Sequence, residues 1–158
     1  MKELSGSAET TVSATAPDCI ALLAAIERYP DWYPDVIRRA EVIDRDSAGH
    51  PTRARATVHV SVGPLVRDFD LLLAVEVRPD GVRLVRVPHD PADQELFEVD
   101  WEVREGAAVS LRMLLTARFD VPRLLPIGSV GESVAQGFVA AAKRELDGSS
   151  PKAAASSS

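Results

Sequence analysis

Two periodicities divide this chain. From Val36 to Arg118 apolar positions recur every second residue, whereas around residues 17–28 and 122–147 they recur three and four residues apart. The clearest alternation is Phe97, Val99, Trp101 and Val103 against Glu98, Asp100, Glu102 and Arg104, one dry face and one wet face of a strand. Its successor repeats the pattern with Val109, Leu111, Met113 and Leu115, and Glu105-Gly106 between them predicts a tight hairpin with Gly106 at positive φ. Turn chemistry at Asp46 to Gly49, Gly63-Pro64, Pro79-Asp80-Gly81 and Pro88 to Asp93 cuts the rest of the region, giving six strands in all. A short first strand over Glu9 to Thr15, with Val12 and Ala14 on one face, makes seven. Successive hairpins predict an antiparallel meander.

Pro17 restarts the chain as a helix, since its missing N–H has no helical partner at the first position, and Asp18 complements the positive end of the dipole. Ile20, Leu23, Ala24 and Ile26 form its apolar face. Pro30 disfavours helical geometry at Tyr29, so the helix is expected to stop near Arg28 and resume briefly before Pro34, as a two-piece helix. The proline-bounded segment Pro122 to Pro126 leads into Ile127, Val130, Val134, Phe138, Ala142 and Leu146, one face of a long last helix. Residues 1–8 and 148–158 are small and polar without periodicity and read as disordered, leaving one domain over 9–147.

Composition narrows the functions. A chain of 158 residues buries a real core without disulfides or metal. Its one cysteine, Cys19, has no partner for a bridge and no ligand-spaced neighbour for zinc, so a reducing cytoplasm is the expected setting and no metal or other cofactor is expected. No leader and no apolar run near ~20 residues is present, so stable membrane insertion is not expected. A net charge of -6 with no free-standing basic block argues against nucleic acid. No nucleophile elbow, zinc helix, phosphate loop or Cys–His constellation occurs. His59 alternates outward with Val58 and Val60, His50 and His89 fall in turns, and Asp68 and Asp70 read as a solvated pair.

Tyr29-Pro30-Asp31-Trp32-Tyr33-Pro34 places three of the chain's eight aromatic residues between the first helix and the run of strands. It resembles the Tyr-Pro-x-Trp-x-Pro junction of the polyketide cyclase/dehydrase and lipid-transfer superfamily, the START-like or SRPBCC proteins. The order of elements over residues 9 to 147 resembles that superfamily as well. The resemblance implies an α+β helix-grip fold: a curved seven-stranded antiparallel sheet around a long C-terminal helix, with two short helices between the first two strands. It also implies a cavity between sheet and helix rather than a shared catalytic motif.

The walls of such a cavity are expected to be lightly filled, by Ala54, Ala56, Val58, Val60 and Val62 on the third strand and by Gly131, Ala135 and Ala142 on the helix. The opposite reading is that Trp101, Phe69, Met113 and Phe138 plug the centre. The candidate ligand-binding residues are Trp32, Tyr33, Arg38, Val42, Val58, Phe69, Leu71, Val99, Trp101, Leu111, Met113, Val134 and Phe138. Trp32 and Tyr33 serve either the mouth of the cavity or the packing of the helix break. Arg38, sharing parity with Ala40 and Val42, is expected to point inward and hold a carboxylate or phenolate oxygen, or else to be a rim charge. Arg67, Arg112 and Arg118 read as ambiguous or outward. Gly128, Gly131 and Gly137 cost the last helix stability; either backbone approaches a ligand or a crossing strand there and Pro122 to Gly128 moves as a gate, or Gly128 precedes the helix and Gly131 and Gly137 are merely tolerated.

No catalytic residue is identified. The leading expectation is a binding protein for an apolar or amphipathic small molecule (a lipid, isoprenoid or polyketide), existing as monomer or homodimer. The alternatives are an aromatase/cyclase acting on a poly-β-keto chain, and a protein-interaction module with a filled core.

Overall fold

The computed structural model describes residues 2–62, 64–119 and 129–148. Seven strands form one antiparallel sheet in the order β1-β7-β6-β5-β4-β3-β2. They are β1 (Lys2–Val12), β2 (Ile37–Arg45), β3 (Pro51–Val62), β4 (Leu65–Arg78), β5 (Gly81–Arg86), β6 (Leu96–Arg104) and β7 (Val109–Phe119). Between β1 and β2 lie α1 (Ala16–Ala24), a single 3-10 turn (Ile26–Arg28) and α2 (Tyr29–Trp32), and α3 (Val130–Gly148) closes the order. This is the helix-grip arrangement, with the sheet curved around α3.

Period-two burial makes one face of the sheet the core wall. Along β7, Leu111, Met113, Leu115, Ala117 and Phe119 are buried and their neighbours half-buried. The register sets them against their counterparts on β6, Trp101 opposite Met113 and Val99 opposite Leu115. Further across the same face Ala54, Ala56 and Val58 of β3 pair with Leu73, Leu71 and Phe69 of β4. Each fully buried large side chain contributes roughly 1.5–3 kcal/mol.

The first strand begins at Lys2 rather than at Glu9, so residues 2–8 are not disordered. Its alternation was present but disguised by small residues: Leu4, Gly6 and Ala8 are half-buried between exposed Glu3, Ser5, Ser7 and Glu9. A continuous ladder holds it, from Lys2 opposite Phe119 to Val12 opposite Val109. The strand ends at Val12, and Thr15 becomes the cap of α1, its hydroxyl accepting from the Asp18 N–H at 3.2 Å.

The helix breaks earlier than Pro30 predicts. Ala25 leaves helical geometry at φ -80°, ψ 69°, while Tyr29 is helical at φ -54°, ψ -40°. Pro30 occupies the first turn of α2, where no N–H is needed, and this outweighs the crowding it imposes on Tyr29. The β6–β7 connection also differs from the tight turn expected. Arg104 pairs with Ser110, so the loop is longer, and among the described residues positive φ occurs only at Gly49 (87°), in the β2–β3 hairpin.

Two glycines decide where α3 sits. A β-carbon on Gly131 would collide with the Ser5 carbonyl, and one on Gly6 would collide with the Gly131 carbonyl. The helix therefore crosses β1 backbone against backbone. Beyond β5 a polar latch fixes the Val87–Glu95 loop. Arg86 donates to the Asp93 carboxylate at 2.7 Å and to the Glu95 carbonyl at 3.0 Å. With the main-chain N–H groups of His89 and Glu95, Arg86 holds the Asp93 carboxyl well below the usual range. Gly63, Gly128 and the segment from Pro122 to Ile127 lie outside the described residues, as do the Val62 side chain and the tail from 149 to 158.

Candidate ligand site

The space between α3 and the sheet is organised by one ring. Phe138, carried on α3 and 1% exposed, is contacted by four aromatic side chains from the α2 junction and from β6. Ring centroids lie 5.9 Å from Tyr29 and 5.7 Å from Trp32 on α2, 4.4 Å from Tyr33, and 5.5 Å from Trp101 on β6. Trp32 in turn lies 4.8 Å from Tyr29 and stacks on Tyr33 at 6.5 Å with 14° between planes. Such tilted and edge-to-face pairs add ~0.5–1.5 kcal/mol each beyond area burial.

Both phenols of this knot are tied to main chain. Tyr29 donates to the Leu23 carbonyl at 2.6 Å, and Tyr33 reaches across 101 residues to donate to the Val134 carbonyl of α3 at 3.2 Å. Gly137 makes room for that reach, since a β-carbon there would collide with the Tyr33 hydroxyl oxygen. Burial pushes the Tyr33 phenol up to about 12, with Asp35 adding to the shift and Arg144 opposing it. Burial raises the Tyr29 phenol further, against a smaller lowering by the Trp101 indole beside it. Buried Cys19 is pushed up to about 11 by desolvation, aided by Asp18 and Asp147, which makes it a poor nucleophile. The indole N–H of Trp32 is buried and makes no hydrogen bond among the described residues, while that of Trp101 has the Tyr29 oxygen beside it.

The remaining void holds about 10 Å³ and is lined by Ile26, Tyr29, Ile37, Ala56, Val58, Leu73, Leu84, Phe97, Val99 and Phe138. That is room for one water at most. The small side chains expected to leave a cavity, Ala54, Ala56, Ala135 and Ala142, instead let the helix and the aromatic rings close onto the sheet. In the described interior the plug prevails over the open cavity.

Of the residues singled out from sequence, Trp32, Tyr33, Val58, Phe69, Leu71, Val99, Trp101, Leu111, Met113 and Phe138 are buried, and Val42 and Val134 are half-buried. Val58, Val99 and Phe138 border the void. Phe69 belongs to a second cluster, stacked on Phe119 at 4.3 Å with Phe97 at 6.4 Å from Phe119. Arg38 is exposed rather than inward. A bulge between Ile37 and Arg39 places two residues of β2 opposite Thr57, so Ile37 and Ala40 keep the core side while Arg38 loses the parity that aimed it inward. Arg67, read as ambiguous, stacks over the Phe69 ring at 4.5 Å. Arg112 and Arg118 pair with Glu102 and Glu3. His59 meets Asp68 at 2.6 Å and Thr57 donates to Asp70 at 2.7 Å, both pairs on the outer side of the sheet. Sequence reasoning missed Ile26, Tyr29, Ile37, Leu73, Leu84 and Phe97 as wall residues. The cue for Tyr29 was its place in the same aromatic junction as Trp32.

A larger hollow lies elsewhere. A groove of about 520 Å³ runs between α1 and the ends of the β2–β3 and β4–β5 hairpins, floored by Pro17, Ile20, Ala21, Ala24, Ala25, Pro51, Val77 and Pro79. Its charged rim is internally paired: Arg45 donates to the Gly49 carbonyl at 3.0 Å and faces Glu27 at 3.8 Å, and His50 lies 3.9 Å from Asp46. Among the described residues no group of three His, Cys, Asp or Glu side chains is placed to hold a metal, and no helix is long and apolar enough to cross a membrane.

Solved structures share this architecture at low identity. A START superfamily protein from Mycobacterium smegmatis is 16% identical over 91% of this chain and 96% of its own, with a TM-score of 0.67. A Thermus thermophilus protein is 17% identical over 98% of this chain and 100% of its own, with a TM-score of 0.65. The di-domain ARO/CYC of the steffimycin biosynthetic pathway is 10% identical over 91% of this chain and 51% of its own, at 0.60. No curated protein matches the chain by sequence. The family model for polyketide cyclase / dehydrase and lipid transport matches residues 12–143, nearly the whole folded unit, and the chain belongs to that family.

Proposed function

We propose that this protein binds an apolar or amphipathic small molecule between α3 and the sheet. The observation that supports the reading is the wall of the residual void. Its ten residues come from eight elements, the 3-10 turn, α2, β2 to β6 and α3, and none is charged. Membership of a family described by lipid transport and polyketide chemistry points the same way.

The described interior is closed, so a ligand enters by parting the aromatic knot from the sheet. Transferred apolar surface offsets that cost at ~25 cal/mol per Å², before ordering is subtracted. Titration with the apolar fluorophore N-phenylnaphthylamine, alongside native mass spectrometry of gently purified protein, tests the reading. One saturable site or a stoichiometric co-purifying mass supports it. A flat titration and an empty protein would sink it in favour of a filled core that serves a protein partner.

Cyclisation of a poly-β-keto chain is the second reading, favoured by the fold shared with an ARO/CYC protein. Its support within the site is thinner. Arg38 points away, and the Tyr29 and Tyr33 hydroxyl protons are already committed to main-chain carbonyls.

A further inference from the structure

We infer that Trp32 reads a hydrogen-bond-accepting oxygen on the ligand, so that the molecule bound is neutral and oxygenated rather than a pure hydrocarbon or a free acid. This rests on the ligand site proposed above between α3 and the sheet.

The two side chains are the chain's only tryptophans, and they enter the interior from opposite walls, α2 and β6. Trp32 is 6% exposed and Trp101 is fully buried; among the described residues the Trp32 indole N–H has no partner, and that of Trp101 has only the Tyr29 oxygen beside it. A buried indole ordinarily finds one, because an unpaired donor forfeits its bond to water without replacement. Both rings pack on Phe138, the residue that also borders the void. Phe138 thus stands between the void and the Trp32 indole, whose donor is unmet among the described residues.

The nearby hydroxyls do not meet the need. Tyr33 turns its proton to Val134 and Tyr29 turns its proton to Leu23. The Trp101 indole N–H lies close enough to the Tyr29 oxygen to interact with it, which leaves Trp32 as the reader.

Charge then sets the class of acceptor. No lysine or arginine lines the void, and an indole N–H is a neutral donor. A carboxylate moved there loses its hydration and gains no counter-charge, whereas a ketone, quinone, ester or alcohol oxygen loses little and gains the donor. A ligand oxygen beside Trp32 supplies the missing bond while its apolar frame displaces Phe138 or its neighbours.

Fluorene and fluorenone, matched in frame and differing by one carbonyl, test this on the full chain, with fluorene-9-carboxylate as the anion. In a 15N-labelled sample the two tryptophans give two indole cross-peaks, which Trp101→Phe and Trp32→Phe assign. The expected result is fluorenone bound at least tenfold more tightly than fluorene, with the Trp32 indole proton moved downfield by fluorenone alone. Trp32→Phe, which keeps a ring and removes the N–H, then brings the two affinities within about threefold by weakening fluorenone only. Equal affinities in the wild-type chain, tighter binding of the carboxylate, or an indole already bonded to a buried water and unmoved by fluorenone overturns the inference while leaving the ligand site standing. Failure of all three probes to bind overturns both.

Discussion

The aromatic knot under α3 and the groove behind α1 are opposites. The groove offers about 520 Å³, but its arginine and histidine already face carboxylates and its floor is open to water. The void beside Phe138 offers about 10 Å³, yet it is walled entirely by uncharged side chains, and the buried Trp32 donor behind Phe138 has nothing to bond among the described residues. Volume alone therefore says little about where a ligand gains most. A molecule in the groove exchanges water for a half-wet surface, whereas one in the interior is fully desolvated and meets a donor whose hydrogen bonding is unfinished.

Removing the ring at the centre of the knot is the strongest way to sharpen this contrast. Phe138→Ala deletes contacts to Tyr29, Trp32, Tyr33 and Trp101, and is expected to cost about 3–5 kcal/mol in urea unfolding. The vacated space should bind N-phenylnaphthylamine more tightly than the wild type does. Lower stability with unchanged probe affinity would place the probe outside the knot.

The seat of α3 comes next. Alanine at a helical glycine normally gains about 1 kcal/mol, but Gly131→Ala should instead lose about 1–3 kcal/mol, because the new carbon meets the backbone of Ser5. A stabilised variant in the same unfolding measurement would show that β1 and α3 are not held so closely, and that the interior opens easily.

Alkali probes the knot without mutation. The Tyr33 phenol titrates near 12 in the folded chain and near 10 when unfolded, and Cys19 near 11 against 9.0. Each group is neutral when protonated and has its pKa raised by folding, so its contribution is complete below the unfolded value and is lost as pH climbs through the folded one. Between pH 9 and 12 the unfolded chain has shed protons that the folded chain still holds, and stability falls. Denaturant midpoints that stay flat from about pH 8 to 11 would mean that solvent already reaches the thiol and the phenol.

The smallest effect is reserved for the groove. Ala21 is exposed on α1, and Ala21→Phe fills part of the hollow at a cost within about 1 kcal/mol, without touching the interior. Probe affinity should be unchanged. Its loss in this variant would reverse the comparison and make the groove the site.

Much of this architecture was legible because strands announce themselves by parity. Phe97 to Val103 and Val109 to Leu115 lie as their alternation predicted, and the junction from Tyr29 to Pro34 pointed to the family. Errors arose where something other than side-chain pattern decided. The β2 bulge flipped Arg38 by inserting one residue that no parity count can see. The start of β1 was missed because a strand of Ser, Gly and Ala is held by its ladder to β7 and by the crossing of α3 rather than by hydrophobic side chains.

The sequence by itself determined the seven strands, the short helices between the first two and the long helix after the last, since each depends on local period and turn chemistry. It also determined that the interior is apolar. Only the tertiary structure decided whether that interior is hollow or full. Small residues on two facing walls permit either outcome, and the choice depends on how closely the walls approach. Here Gly6 against Gly131 and Gly137 against Tyr33 bring α3 close enough for Phe138 to fill the centre of the described interior, and that packing leaves the Trp32 indole donor without a partner there.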